Sequence, residues 1–125
     1  MSQTTPNFII VDDEREVRLS IRRVMARCFE SAQIFEATSG QEALKLYESH
    51  GADLMIIDHH IPALDGLSLV RFLRAQDVKI PLVLISSNPQ LEKESSAAGA
   101  TRFLHKRQLR ESLEESLVSW VGAAA

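Results

Sequence analysis

Five times along this chain a short apolar run gives way to a stretch whose apolar residues recur at helical spacing. That alternation restricts the fold to a parallel sheet with helices on both faces, joined by right-handed crossovers. The most informative run is Leu54-Met55-Ile56-Ile57. It has no polar alternation and suits a strand buried on both sides, yet it closes on Asp58, an acid that is costly to leave in an interior. In open α/β sheets ligands collect beyond the carboxyl ends of the strands, which places Asp58 for chemistry. His59-His60-Ile61-Pro62 cannot extend a central strand, because Pro62 lacks a backbone donor. Asp65-Gly66 then supplies a turn, and Leu64, Leu67, Val70 and Leu73 repeat every three residues along a helix.

The other units follow the same rule. Phe8-Ile9-Ile10-Val11 ends on Asp12-Asp13, followed by Val17, Ile21, Val24 and Cys28 at helical spacing. Residues 33–37 form a weaker strand, and Ser39 and Glu42 occupy capping-box positions ahead of Ala43, Leu44 and Tyr47. Leu82-Val83-Leu84-Ile85 ends on Ser86-Ser87, with Asn88 expected as N-cap and Pro89 at the first helical position. The helix that follows has little apolar surface besides Leu91 and is expected to be mobile; Gly99 is expected to cap it in the left-handed conformation. Thr101-Arg102-Phe103-Leu104 reads as a short fifth strand ending at His105-Lys106. Leu109, Leu113, Leu117 and Val121 form the seam of a last helix, which also carries Trp120, placed to pack, to pair with another subunit or to face an effector.

At 125 residues and 45% hydrophobic composition the chain is expected to be one domain, 1–125, with a core over about 7–121. Fourteen basic against seventeen acidic residues give a net charge of -3, which argues against direct binding of nucleic acid or an acidic membrane surface. Cys28 stands alone, so no internal disulfide or CxxC pair is available. The apolar runs are strand-sized, and the start lacks a signal-peptide layout, so a reducing cytoplasm is expected.

The topology gathers Asp12, Asp13, Asp58, Ser86 and Lys106 from four strand ends onto one rim. Three carboxylates within reach of each other repel, and a hard divalent cation such as Mg²⁺ relieves that repulsion. The remaining hydroxyl and ammonium suit a phosphoryl group, and an aspartate can itself be the nucleophile.

With Val11-Asp12-Asp13-Glu14, Asp58, Pro62 with Asp65-Gly66, Ser86, Gly99-Ala100 and Phe103-Leu104-His105-Lys106 in this order, the chain resembles the receiver domain of two-component response regulators. The resemblance spans nearly the whole chain. It implies a three-layer α/β/α, flavodoxin-like (βα)5 fold with strand order 2-1-3-4-5. It also implies that Asp58 accepts a phosphoryl group from a sensor histidine kinase or histidine phosphotransfer protein. Asp13, Asp58 and the His60 backbone carbonyl would bind Mg²⁺, with Asp12 helping through water. Lys106 would pair with the carboxylate and then the phosphoryl oxygens, Ser86 would move in to hydrogen-bond them, and Phe103 would be the aromatic switch. The output would be a changed surface on the fourth helix, fifth strand and fifth helix, read by an output domain or target protein. Oligomeric state stays open, a homodimer included.

Several residues depart from that pattern. Arg107 follows Lys106 where the family usually has Pro, so either a trans bond with a reshaped loop or a strained cis bond is expected. His60 and Asn88 lie where neighbours tune attack by water, and Ser87 replaces a smaller residue. A pseudo-receiver that signals through contacts alone is the competing reading. Asp58-His59-His60 also resembles a motif of Mn²⁺ phosphoesterases, which need further ligands in longer chains. A haloacid-dehalogenase-like phosphatase would need Asp at position 60, and flavin phosphate would be repelled by Asp12-Asp13. Arg15, Arg18, Arg22, Arg23 and Arg27 form a basic stripe on the first helix, a solvated face or a docking surface for the phosphodonor.

Overall fold

The computed structural model describes residues 5–124, and Trp120 and Val121 lie outside the residues whose side chains are described. The elements are β1 (Asn7–Val11), α1 (Arg15–Cys28), β2 (Gln33–Ala37), α2 (Gly40–His50), β3 (Leu54–Asp58), α3 (Gly66–Ala75), β4 (Leu82–Ser86), α4 (Leu91–Ala98), β5 (Arg102–His105), a 3-10 turn (Lys106–Gln108) and α5 (Leu109–Ala124). All five strands are parallel, as the alternation implies, and they lie in the order β2-β1-β3-β4-β5 that the resemblance implies.

The period of two along each strand divides the interior. Ile9, Val11, Met55, Ile57, Leu82 and Leu84 pack with Ala43 of α2 and Leu67, Leu69, Val70 and Leu73 of α3. Phe8, Ile10, Leu54, Ile56, Val83, Ile85 and Leu104 face the other way, onto Ile21, Val24 and Met25 of α1 and Leu113 and Leu117 of α5. Every residue of β3 and β4 is buried, which accounts for runs without polar alternation.

Several local expectations need correction. The helix after β4 starts at Leu91 with Gln90 as cap, not at Pro89. Ser86 Oγ already accepts the Asn88 N–H at 3.0 Å, and Asn88 Oδ1 accepts that of Gln90 at 3.0 Å, so two successive side-chain turns precede the helix. Gly99 does cap α4 with φ 107°, and a Cβ there would lie 2.7 Å from Arg74 Cγ. The Lys106-Arg107 bond is trans, and the chain passes from β5 into α5 through the 3-10 turn. Ser39 Oγ caps α2 by accepting from Glu42 N–H, but the Glu42 carboxylate reaches back to the amide of Thr38 rather than that of Ser39.

The basic stripe on α1 divides. Arg18 and Arg22 each place Nε 2.8 Å from a different oxygen of Glu36 on β2. Arg18 also donates to the Asp12 carbonyl and Arg22 to that of Ile34, both at 2.9 Å. These two arginines therefore clasp the edge strand and the acidic corner together, so at positions 18 and 22 the stripe is more than a solvated face.

The hydrogen bond from Arg22, with that from Arg18, holds the Glu36 carboxyl below its usual value of 4.5. A depressed acid contributes stability above its unfolded value, which is lost as pH falls through the lower folded one. Glu36→Gln is expected to cost about 1–2 kcal/mol at pH 7, measured by urea denaturation. The gap between parent and variant should close in acid, and a gap that stays constant down to pH 3 would show that the charge contributes nothing.

Candidate functional site

Register brings the acids together before any side chain is considered. Val11 pairs with Ile57, so Asp12 and Asp58 are the next residues along two adjacent central strands. Both are fully buried, Asp13 is exposed, and one carboxylate oxygen from each of the three lies within 4.8 Å of the others. Asp12 Oδ1 accepts the Glu14 N–H at 2.8 Å, but its Oδ2 and both oxygens of Asp58 accept no hydrogen bond. Burial pushes the Asp12 carboxyl up to about 6, against the pull of the Glu14 amide. Burial also raises Asp58, with the Lys106 charge opposing.

Lys106 answers part of this charge. Its Nζ lies 3.3 Å from Asp58 Oδ1 and 3.4 Å from Glu14 Oε1. Burial alone would favour the neutral amine, but Asp58 and Asp12 outweigh it and hold the ammonium above its ordinary value. One cation against two buried acids and Asp13 beside them leaves an excess of negative charge. Orphaned oxygens on Asp12 and Asp58, with the exposed carboxylate of Asp13 beside them, are the hard oxygen set that a Mg²⁺-like cation needs, and the residues fit such an ion.

Ser86, the last residue of β4, is buried, and its Oγ accepts from Asn88 N–H, so the turn holds the oxygen while its own proton can be donated elsewhere. His60 is exposed. His59 instead turns back into structure, with Nδ1 accepting the Leu67 N–H at 3.3 Å. The acidic cluster draws in neither imidazole of the pair, so the transition-metal reading of Asp58-His59-His60 gains nothing from the geometry. Phe103 is half-buried against the α2/α3 side of the core and lines a cavity of about 750 Å³ with Pro89, Glu92 and Ser96 of the α4 segment and Arg107 and Ser112 beyond β5.

Three supporting residues lack their roles in the sequence reading. Glu14 provides the second carboxylate on Lys106, and Arg18 braces the Asp12 carbonyl. Gly66 does more than turn: a Cβ there would strike the Asp58 carbonyl oxygen and lie 2.7 Å from His59 Cα, so only glycine lets α3 start this close to the strand end. Its N–H donates to the His59 carbonyl at 2.8 Å, fixing the loop behind Asp58.

The family model described as "Response regulator receiver domain" matches residues 8–118. The transcriptional regulatory protein PrrA of Mycobacterium tuberculosis is 30% identical over 105 residues, which are 82% of this chain and 44% of that protein. Response regulator MprA of Mycolicibacterium vanbaalenii is 33% identical over 101 residues, 79% of this chain and 43% of that protein. The chain thus spans less than half the length of these relatives. Among solved structures, the Francisella response regulator 1452 receiver domain superposes with a TM-score of 0.87 at 24% identity, covering 97% of this chain and 100% of that one, a likeness of fold.

Proposed function

The chain belongs to the receiver domains of response regulators, and from that membership we propose that it is a phosphoacceptor switch, a single receiver unit over 1–125, with Asp58 as the acceptor. The observation that carries this reading is the Asp58 carboxylate, buried with neither oxygen hydrogen-bonded and with Oδ1 3.3 Å from the Lys106 ammonium at the open end of the sheet. An Asp58 oxygen would attack phosphorus, the bond to the donor's leaving nitrogen or oxygen would break, and that atom would keep the electron pair. The donor would be a sensor histidine kinase or a histidine phosphotransfer protein.

Mg²⁺, held by Asp13, Asp58 and the His60 carbonyl with Asp12 assisting, would supply neutralisation of charge on the phosphoryl oxygens. Lys106 then holds one phosphoryl oxygen, and Ser86 donates its hydroxyl proton to another. Phe103, at the wall of the cavity beside α4, is the proposed aromatic relay to the α4, β5 and α5 surface, which an output domain or separate target would read. The chain regulates and does not turn over a substrate of its own beyond gaining and losing this phosphoryl group. The described helices include none long and apolar enough to cross a membrane, and cytoplasmic placement is part of the proposal.

Incubation with Mg²⁺ and a small acyl phosphate should add one phosphoryl group, read by intact mass. No uptake by the folded parent would leave the pseudo-receiver, a contact-only module, as the better reading. Mg²⁺ itself should raise the melting temperature, because an ion bound only by the folded state stabilises it. At about a hundred times the dissociation constant the gain is about 2.7 kcal/mol, and Asp13→Ala should remove most of it. An equal Mg²⁺ response in that variant would place the ion elsewhere.

A further inference from the structure

We infer that His105 is a positioning residue that holds Lys106 against Asp58, an assignment that rests on the reading of Asp58 as the phosphoacceptor. Three strand ends on this rim use the same device, a side-chain acceptor tied to the backbone N–H two residues on. Asp12 Oδ1 takes the N–H of Glu14 at 2.8 Å, Ser86 Oγ that of Asn88 at 3.0 Å, and His105 Nδ1 that of Arg107 at 3.1 Å. In the first two the acceptor belongs to a proposed site residue. In the third it belongs to the neighbour of one, and the residue enclosed by the turn is Lys106.

That enclosure sets where the ammonium can go. His105 is the last residue of β5, paired with Ser86 and extended at φ −72° and ψ 139°. The N–H that follows Lys106 is tied back to the imidazole, and the Lys106 carbonyl accepts from Leu109 N–H at the far end of the turn. Lys106 is thus fixed on both sides, and its Cα–Cβ direction is no longer free. A turn of three residues has little else to hold it. A lysine carries its charge on a flexible four-carbon stem, so the direction of that stem decides whether the head stays 3.3 Å from Asp58 Oδ1. In this bond Nδ1 is the ring nitrogen that accepts, which leaves Nε2 facing outward from the turn's hydrogen bond.

The test compares parent, His105→Ala, His105→Phe and His105→Asn. Phenylalanine keeps a ring without an acceptor. Asparagine keeps an acceptor without the ring, in the arrangement that Asn88 Oδ1 already makes to Gln90 N–H at 3.0 Å. The first readout is labelling of Lys106 by an amine-reactive ester, measured by peptide mass spectrometry against exposed Lys79 as internal reference. Labelling of Lys106 should rise about fivefold in the Ala and Phe variants, the population shift that one lost hydrogen bond allows, and stay at the parent level in Asn. The rate of uptake from an acyl phosphate should fall by the same factor in Ala and Phe only, with the Mg²⁺-dependent melting shift unchanged in all four. If Ala does not fold, Phe and Asn carry the comparison. Equal labelling across the variants, or an Asn variant that behaves like Phe, would overturn the assignment. A parent that takes up no phosphoryl group would sink the phosphoacceptor reading instead, while the labelling pattern would still decide whether His105 positions Lys106.

Discussion

Asp58→Asn should lose all phosphoryl uptake and, in metal-free buffer, melt higher than the parent. The loss follows from chemistry, since an amide offers no carboxylate oxygen to attack phosphorus. The gain in stability follows from electrostatics. Asp58 is fully buried, accepts no hydrogen bond and sits beside two further acids. Lys106 offsets part of this, but burial wins and the carboxyl is raised overall, so at neutral pH its charge opposes folding. Removing that charge is expected to raise the melting temperature by about 4 °C, the response of a domain of this size to about 1 kcal/mol. Added Mg²⁺ should reverse the order, because only the parent keeps the full ligand set. Calorimetry with and without the ion would show it, and a variant that melts lower than the parent in both conditions would mean that the pairing with Lys106 outweighs burial and repulsion.

The second large effect lies far from the acids. Arg74, in the last turn of α3, donates from Nε to the Gly99 carbonyl at 2.8 Å and from Nη1 to those of Val78 and Ile80, both at 2.8 Å. Its Nη2 lies 3.2 Å from Thr101 Oγ1. Thr101 Oγ1 in turn accepts the Leu82 N–H at 3.0 Å. One guanidinium therefore joins the end of α3, the entry to β4, the cap of α4 and the start of β5. Its acceptors are neutral carbonyls and a hydroxyl, and burial holds its pKa below the usual value. Arg74→Ala removes several charge-assisted bonds and leaves carbonyls unpaired, at an expected cost of about 3 kcal/mol. Arg74→Lys should recover little, since three donors on one nitrogen cannot span acceptors that a planar fork reaches. Urea denaturation measures both; a loss under about 1 kcal/mol for Ala would mean that water replaces the arginine.

Arg74 also marks where reading the sequence stops. The strands, their ends and the acids they carry follow from local pattern. A run buried on both faces has no polar alternation, and an acid or hydroxyl closing such a run sits at the rim. Asp12, Asp58 and Ser86 are legible for that reason; Lys106 follows a strand that is only partly buried and is legible only as the charge beyond a fourth strand end on the same edge. Arg74 gives no such signal, because its partners are backbone carbonyls and a hydroxyl distributed over residues 78–101. The pairing of Glu36 with Arg18 and Arg22 depends on β2 lying beside α1, which separates a clasp from a solvated stripe only once the fold is known. The start of α4 lies two residues later than the local pattern predicts: Asn88 Oδ1 takes the Gln90 N–H as an N-cap would, but the backbone closes tighter turn bonds, Leu91 N–H to the Asn88 carbonyl and Glu92 N–H to that of Pro89, where that pattern starts the helix. Gly66 looked like an ordinary turn glycine, and only the nearness of the Asp58 carbonyl shows why no side chain fits there.

The clasp on β2 has a consequence for how copies of this chain meet. β2 borders the sheet, bonded to β1 alone, and such a border invites a stray strand to add on. Arg22 already engages the Ile34 carbonyl there, and the two arginines gather around Glu36 on the same short strand. A newcomer would have to displace a guanidinium and meet its charge before gaining a ladder bond, so this flank of the molecule resists fibre-like stacking.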